Sequence, residues 1–169
     1  MSGFIEARPR VGYYYSGKSK NKIINEQLRQ YVVKDYMSQP VVIKEEMSVY
    51  DAICTIFLED AGTLFITNND NDFVGVCSRK DLLRASMIGE DIHTMPISVN
   101  MTRMPHVTYL EEEELVIYAA NQMIDNEIDS LPIVRKKDNK KYEVIGRISK
   151  TYLLYTYQSP RAERESRKQ

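Results

Sequence analysis

Apolar residues recur along this chain in short bursts whose spacing alternates between helical and strand periods, and the bursts come twice in the same order. From Asn21 to Val33, Ile23, Ile24, Leu28, Tyr31 and Val32 fall at helical spacing and predict an amphipathic connecting helix. Residues 35–40 break that pattern, and Val41-Val42-Ile43 predicts a short strand. Ser48 is a natural N-cap for a helix running to about Asp60, with Val49, Ala52, Ile53, Ile56 and Phe57 on its inner face. Thr63–Thr67 is β-prone, Asn68–Asp72 is a turn, and Phe73–Cys77 returns as the second arm of a hairpin. A helix from Ser78 to about Ile88 closes the unit. After a linker containing Pro96 the order strand, helix, strand, strand, helix is met again. Its parts are Val107–Tyr109, about Glu113 to Asn126, Leu131–Val134, Tyr142–Ile148 after a polar turn at 136–141, and a last helix from Ser149.

The offsets show that this is a duplication. Pro40 and Pro105 lie 65 residues apart, Ala52 and Ala119 67, Leu64 and Leu131 67, and the pairs Gly75/Gly146 and Ser78/Ser149 both 71. The drift is confined to turns, where insertions are tolerated. Half-domains of this size cannot each build an adequate core, so the two are expected to pack on one another. The expected fold class is therefore α+β (α/β-like): two packed β-α-β-β-α repeats.

Composition removes several functions. At 169 residues, with 43% hydrophobic and 28% charged residues, the chain suits one full domain or two small ones. No apolar run reaches membrane-span length and no secretory signal opens the chain, so the expectation is a cytoplasmic protein with no membrane contact. Cys54 and Cys77 lie in separate apolar segments and read as buried free thiols, while His93 and His106 stand alone, so a metal site has little to build on. The net charge of −1 hides an asymmetry: residues 1–34 carry seven basic groups against Glu6 and Glu26, a balance of +5 that leaves −6 for the rest. Any nucleic-acid contact is thus expected at the N-terminus, although a solvated linker explains the same charges. The acidic run Glu111–Glu114 reads as a solvated face at a helix start.

The segment Gly75-Val-Cys-Ser-Arg-Lys-Asp81 carries the candidate chemistry. Ser78 followed three residues later by Asp81 is a capping box, which needs no function beyond stabilising a helix start. The same atoms suit a phosphorylated sugar: the N–H groups of Arg79 and Lys80 with the helix dipole receive an anion, Ser78 donates its hydroxyl, and Asp81 accepts from two ribose hydroxyls. Nothing resembling a nucleophile–base pair, paired catalytic carboxylates or a Walker loop is present, so no enzymatic activity is expected.

With these motifs in view, residues 35–158 resemble a cystathionine-β-synthase (CBS) domain pair, the Bateman module. The resemblance rests on Met37-Ser-Gln-Pro-Val-Val-Ile43, Gly75–Asp81, Met101-Thr-Arg-Met-Pro105, Ser130-Leu-Pro-Ile-Val134 and Gly146-Arg-Ile-Ser149. Ala7-Arg-Pro-Arg-Val-Gly-Tyr-Tyr-Tyr15 looks like the end of a winged-helix domain, and with Asp91-Ile-His93 and Gly146–Lys150 the whole is most similar to the regulatory half of CBS-containing repressors of gluconeogenic genes. The organisation this implies is a winged-helix remnant (1–18), a linker helix (19–34), a first CBS domain (35–88), a linker (89–99), a second CBS domain (100–158) and a disordered tail (159–169).

The resemblance implies binding of ATP, ADP or AMP with no catalytic cofactor, a homodimer formed through the CBS pair, and DNA contact only through a winged-helix domain outside this chain. The first nucleotide site it implies comprises Val41, Val42, Thr63, Leu64 and Phe65 around adenine, Ser78, Arg79 and Lys80 at the phosphates, Asp81 at the ribose, and Thr102 and Arg103 reaching across. For the apolar members, plain core residues are an equal reading. A second, weaker site would use Pro105, His106, Val107, Ser130, Leu131, Arg147, Ser149 and Lys150, because Tyr152 stands where the first repeat has Asp81. Two alternatives stay open: a dimerisation module without a ligand, and a sensor of S-adenosyl compounds.

Overall fold

The computed structural model describes residues 30–89 and 91–153; the expected winged-helix remnant (1–18), most of the linker helix and the tail (159–169) lie outside them. Seven strands form two sheets: β1 (Val42–Lys44), β2 (Thr63–Thr67), β3 (Phe73–Ser78) and β4 (Thr102–Arg103) in the first, β5 (Leu110–Glu111), β6 (Ser130–Lys136) and β7 (Tyr142–Ser149) in the second. Helices α1 (Val49–Leu58) and α2 (Arg79–Met87) belong to the first repeat and α3 (Val116–Asp125) to the second, with a further helical turn from Lys150. The mixed α+β class is the one expected.

Local chemistry accounts for most boundaries. Ser48 Oγ accepts the Asp51 N–H at 3.0 Å and starts α1. Parallel pairing of β1 with β2 requires the crossover that α1 supplies, whereas β2 and β3 pair antiparallel across a turn in which Asn71 takes a left-handed φ of 62°. Phe57, expected on the inner face of α1, is 68% exposed; Val49, Ala52 and Ile56 are the buried positions. The expected linker helix does not extend through Val33: Val32 bridges to Leu115 and Val33–Asp35 form a 3-10 turn. α3 begins at Val116, later than the apolar spacing suggests, because the acids before it are engaged elsewhere. Glu114 Oε2 accepts the Glu111 N–H at 2.7 Å, Glu112 receives two hydrogen bonds of 2.8 Å from Arg135, and Glu113 pairs with Lys34 at 2.6 Å.

The two repeats exchange their lead-in segments. Thr102 and Arg103, which open the second repeat, pair antiparallel with Val76 and Gly75 of the first. In return Ser38 bridges to Arg147 on β7, its N–H donating to the Arg147 carbonyl at 2.8 Å and its carbonyl accepting at 2.9 Å. The repeated glycines make room for these crossings. A Cβ on Gly75 would lie 2.5 Å from the Thr102 carbonyl oxygen, and one on Gly146 would overlap the Met37 side chain.

Three apolar clusters follow from the alternation of side chains along the strands. Leu64 and Ile66 of β2 point into the first repeat's core with Ile43, Ile56 and Leu82, while Phe65 between them points the other way. Leu131 and Ile133 of β6 join Val116, Met123 and Ile148, and Val134 points away. Phe65, Phe73, Val107 and Val134 then meet as a third cluster joining the repeats. Each such fully buried side chain contributes roughly 1.5–3 kcal/mol.

A charged contact closes the same junction. Asp72, only 4% exposed, holds Lys137 and Lys141 of the β6–β7 turn at 2.7 Å each. The two ammonium groups, with Asn68 helping, keep its carboxyl well below the usual carboxylate range. Its folded value being depressed, the stabilisation is present above the unfolded carboxylate pKa near ~3.9 and fades as pH falls below it. Accordingly Asp72→Asn should be less stable than the parent at pH 7, and its unfolding midpoint should fall less steeply in an acid titration. A second prediction concerns the crossings. Gly75→Ala should lose roughly 1–3 kcal/mol in urea unfolding, because backbone obstructs the new methyl. Gly146→Ala should lose less, since the flexible Met37 can yield, and Gly62→Ala, with nothing within 4 Å, should lose nothing.

Candidate functional site

The β3–α2 junction builds the expected capping box. Ser78 Oγ accepts the Asp81 N–H at 3.2 Å, and Asp81 Oδ2 accepts both the Ser78 N–H at 2.8 Å and the Ser78 hydroxyl at 2.7 Å. All of this falls on one carboxylate oxygen. The other, Oδ1, has only the Arg84 guanidinium at 3.8 Å, and the side chain is one-quarter exposed. The capping box therefore engages Oδ2 and leaves Oδ1 with no shorter polar contact among the described residues.

Asp81 borders a cleft of about 680 Å³ between the repeats, within the size range of small-molecule sites. One wall comes from the first repeat: Gly62, Thr63, Val76 and Ser78–Asp81. The other comes from the second: Thr102, His106–Thr108, Glu127–Ser130 and Pro132. The grouping of the expected sites is thus corrected. His106, Val107 and Ser130, placed with Ser149 from sequence, lie across from Asp81 in its own cleft. His106 and Val107 follow directly on β4, which pairs with the first sheet, while Ser130 opens β6 of the second.

Several expected lining residues lie elsewhere. Leu64, Phe65 and Leu131 are fully buried in the cores. Val41 packs against the first core, and Val42 is exposed on β1. Arg103 turns toward Glu45 at 3.6 Å and the Ser98 carbonyl, so it does not reach across. Pro105, Arg147, Ser149 and Lys150, expected at a separate second site, lie outside this cleft; Arg147 Nε donates to Ser38 Oγ at 3.3 Å.

The helix tip also differs from expectation in one respect. Arg79 lines the cleft, but its Nε donates to the Ala61 carbonyl at 2.7 Å, its Nη2 reaches Asp60 at 3.1 Å, and its guanidinium lies over the Phe57 ring at 5.7 Å. Its backbone N–H is likewise taken, by the Gly62 carbonyl at 3.2 Å. Arg79 therefore ties α2 to the end of α1. Lys80, exposed and without an ion pair among the described residues, is left as the cation of the tip.

Sequence reasoning missed Gly62, Val76, Thr108, Glu127, Ile128, Asp129 and Pro132 as lining residues. Glu127 takes a positive φ of 54° just after α3, but with no glycine there the sequence does not announce that turn. The Ser130 hydroxyl is the most informative polar atom of the second wall: it is buried and has no hydrogen-bond partner among the described residues. Buried hydroxyls rarely go unpaired, and among the described residues the Thr67 hydroxyl is the other in that condition.

The equivalent tip in the second repeat is chemically poorer. Ser149 Oγ accepts the Tyr152 N–H at 3.2 Å, but no carboxylate completes the box. Lys150 Nζ is drawn to Asp129 at 2.9 Å.

A family model for the CBS domain matches residues 33–88 and again 92–158. The transcriptional repressor CcpN of Bacillus subtilis (strain 168) is 52% identical over 151 residues, which cover 89% of this chain and 71% of that protein. Among solved structures, the CBS domain pair of protein MJ0100 in complex with 5′-methylthioadenosine and S-adenosyl-L-methionine aligns with a TM-score of 0.62 at 22% identity, over 75% of this chain and 95% of that one. The CBS domain protein PAE2072 from Pyrobaculum aerophilum, complexed with AMP, aligns with a TM-score of 0.60 at 19% identity, over 76% of this chain and all of the other. At those identities the solved structures speak for the fold.

Beneath the helix tip lies Cys77, fully buried at the end of β3. Burial, with the Asp81 charge adding to it, pushes its thiol up to about 12. Iodoacetamide labelling of the native protein at pH 8 should therefore modify half-buried Cys54 and spare Cys77. Its thiolate fraction implies a rate on the order of a thousandfold below that of a free thiol. Peptide mapping by mass spectrometry reads both sites.

Proposed function

We propose that this chain, which belongs to the CBS-domain family, is the adenine-nucleotide-sensing half of a transcriptional repressor acting on genes of gluconeogenesis or central carbon metabolism. The observation that carries the sensing role is the cleft itself: Asp81 offers a carboxylate oxygen on one wall, and Ser130, whose buried hydroxyl has no partner among the described residues, belongs to the other. The similarity to the B. subtilis repressor supports the regulatory assignment, and the adenosine-type ligands held by two proteins of the same fold support the ligand class.

In this reading Asp81 Oδ1 accepts from the ribose hydroxyls, and the phosphates meet the tip of α2 at Lys80. The base lies against Val107 and Pro132, within reach of Ser130. Thr63, Ser78 and Thr102 complete the polar lining, and His106 stands at the phosphate side. The role is binding, with no reaction step. The second tip, with Tyr152 in place of a carboxylate, holds ligand weakly or not at all.

Homodimerisation is assigned to the outer faces of α1 and α2, where Phe57, Leu58, Leu83, Met87 and Ile88 are exposed. DNA contact belongs to a winged-helix domain outside the described residues, in a cytoplasmic setting. None of the described helices is long and apolar enough to cross a membrane. Ligand binding biases the dimer only through its differential affinity for the two arrangements.

Calorimetry with ATP, ADP and AMP tests the reading. A charged hydrogen bond is worth roughly 1.5–3 kcal/mol, so Asp81→Ala should weaken the bound nucleotide by about tenfold or more while the fold persists. Unchanged affinity would remove Asp81 from the site. Titration with S-adenosylmethionine alongside separates a nucleotide sensor from an S-adenosyl sensor, and failure of every adenosine ligand to bind the parent protein leaves a dimerisation module.

A further inference from the structure

The segment leading in from the N-terminal side does not dock on the repeat it introduces. Tyr31 accepts the Val116 N–H on its carbonyl at 2.8 Å, and the Val33 and Lys34 N–H groups donate to the Glu114 and Glu112 carbonyls at 2.8 and 3.2 Å. Lys34 Nζ adds the 2.6 Å contact to Glu113, and Val33 is fully buried in the second repeat's core. Four residues on, Ser38 pairs with β7 of that same repeat. Residues 31–34 of this lead-in are therefore fastened to the loop that starts α3, and Ser38 to β7 of the same repeat.

The other end of α3 opens directly into the cleft wall. Asn126 caps the helix through Gln122, Glu127 makes the left-handed turn, and Glu127–Ser130 line the cleft before β6 begins. Only four residues separate the end of the helix from Ser130, so the connection has little slack. Between the two ends, Val116, Ala119 and Met123 are buried against the second core, which makes α3 a stiff element of roughly 15 Å.

From this we infer that α3 transmits occupancy of the cleft to the N-terminal lead-in, with the Glu127–Ser130 loop as its receiving end and the Glu112–Val116 loop as its output. The inference rests on the nucleotide-binding reading above and adds the route by which the same site is regulated. Coupling between two sites is reciprocal: whatever loosens the lead-in from α3 must alter affinity in the cleft, and ligand in the cleft must alter how firmly the lead-in is held. Intermediacy in space is not itself coupling, so the test must read both directions.

Hydrogen–deuterium exchange on the full chain, with and without saturating AMP or ATP, reads the forward direction. The amides of Val33, Lys34 and Val116 should change exchange rate by at least roughly fivefold, at the low end of ordinary coupling. Calorimetry on Glu113→Lys, an exposed charge reversal that repels Lys34 without touching the core or the cleft, reads the reverse. It should shift nucleotide affinity by a similar factor. Val33→Ala provides a second loosening of the dock, and its thermal unfolding verifies that it remains folded. Nucleotide binding that leaves these amides unchanged, with parental affinity in both variants, overturns the route while the sensor reading stands. Absence of nucleotide binding to the parent protein overturns both.

Discussion

The structure depends on one exchange: each repeat closes the sheet of the other. Antiparallel pairing of Thr102 and Arg103 with β3, and of Ser38 with β7, satisfies edge backbone that a lone repeat would leave open. The exchange requires close approach of two chains over a sheet, and the glycines at 75 and 146 allow it. Phe65, Phe73, Val107 and Val134 then fill the space between the halves, and Asp72 with its two lysines seals it at the hairpin end. The cleft is a by-product of this arrangement, because its second wall is carried into place by the segment that crosses over.

How far sequence alone reached follows from which interactions are local. The Ser78–Asp81 box and the Ser48 cap are set by neighbours within three residues and were legible, as were the bounds of β2 from its own β-prone run. The composition of the cleft was not. A strand of two residues such as β4 carries no periodicity, so the placing of Thr102 across from its own repeat came from the family resemblance and its pairing with Val76 from the structure alone. Without that pairing, His106, Val107 and Ser130 could only be grouped with their own repeat.

Arg79 illustrates the same limit. Its place at a helix tip suggested an anion ligand, but the carbonyl of Ala61 and the carboxylate of Asp60, nearly twenty residues earlier, capture it. The late start of α3 has a related cause. A run of four glutamates reads as a favourable first helical turn, yet Arg135 and Lys34 arrive from distant strands and turns to hold two of them outside the helix. In each case a local propensity was outweighed by a partner remote in sequence.

Tyr152 has a broader consequence. Both helix tips of the duplicated frame begin with a serine, Ser78 and Ser149, but a carboxylate completes only the first. Two near-copies of one motif therefore present unlike chemistry at equivalent places, and duplication of a frame does not carry duplication of its charge.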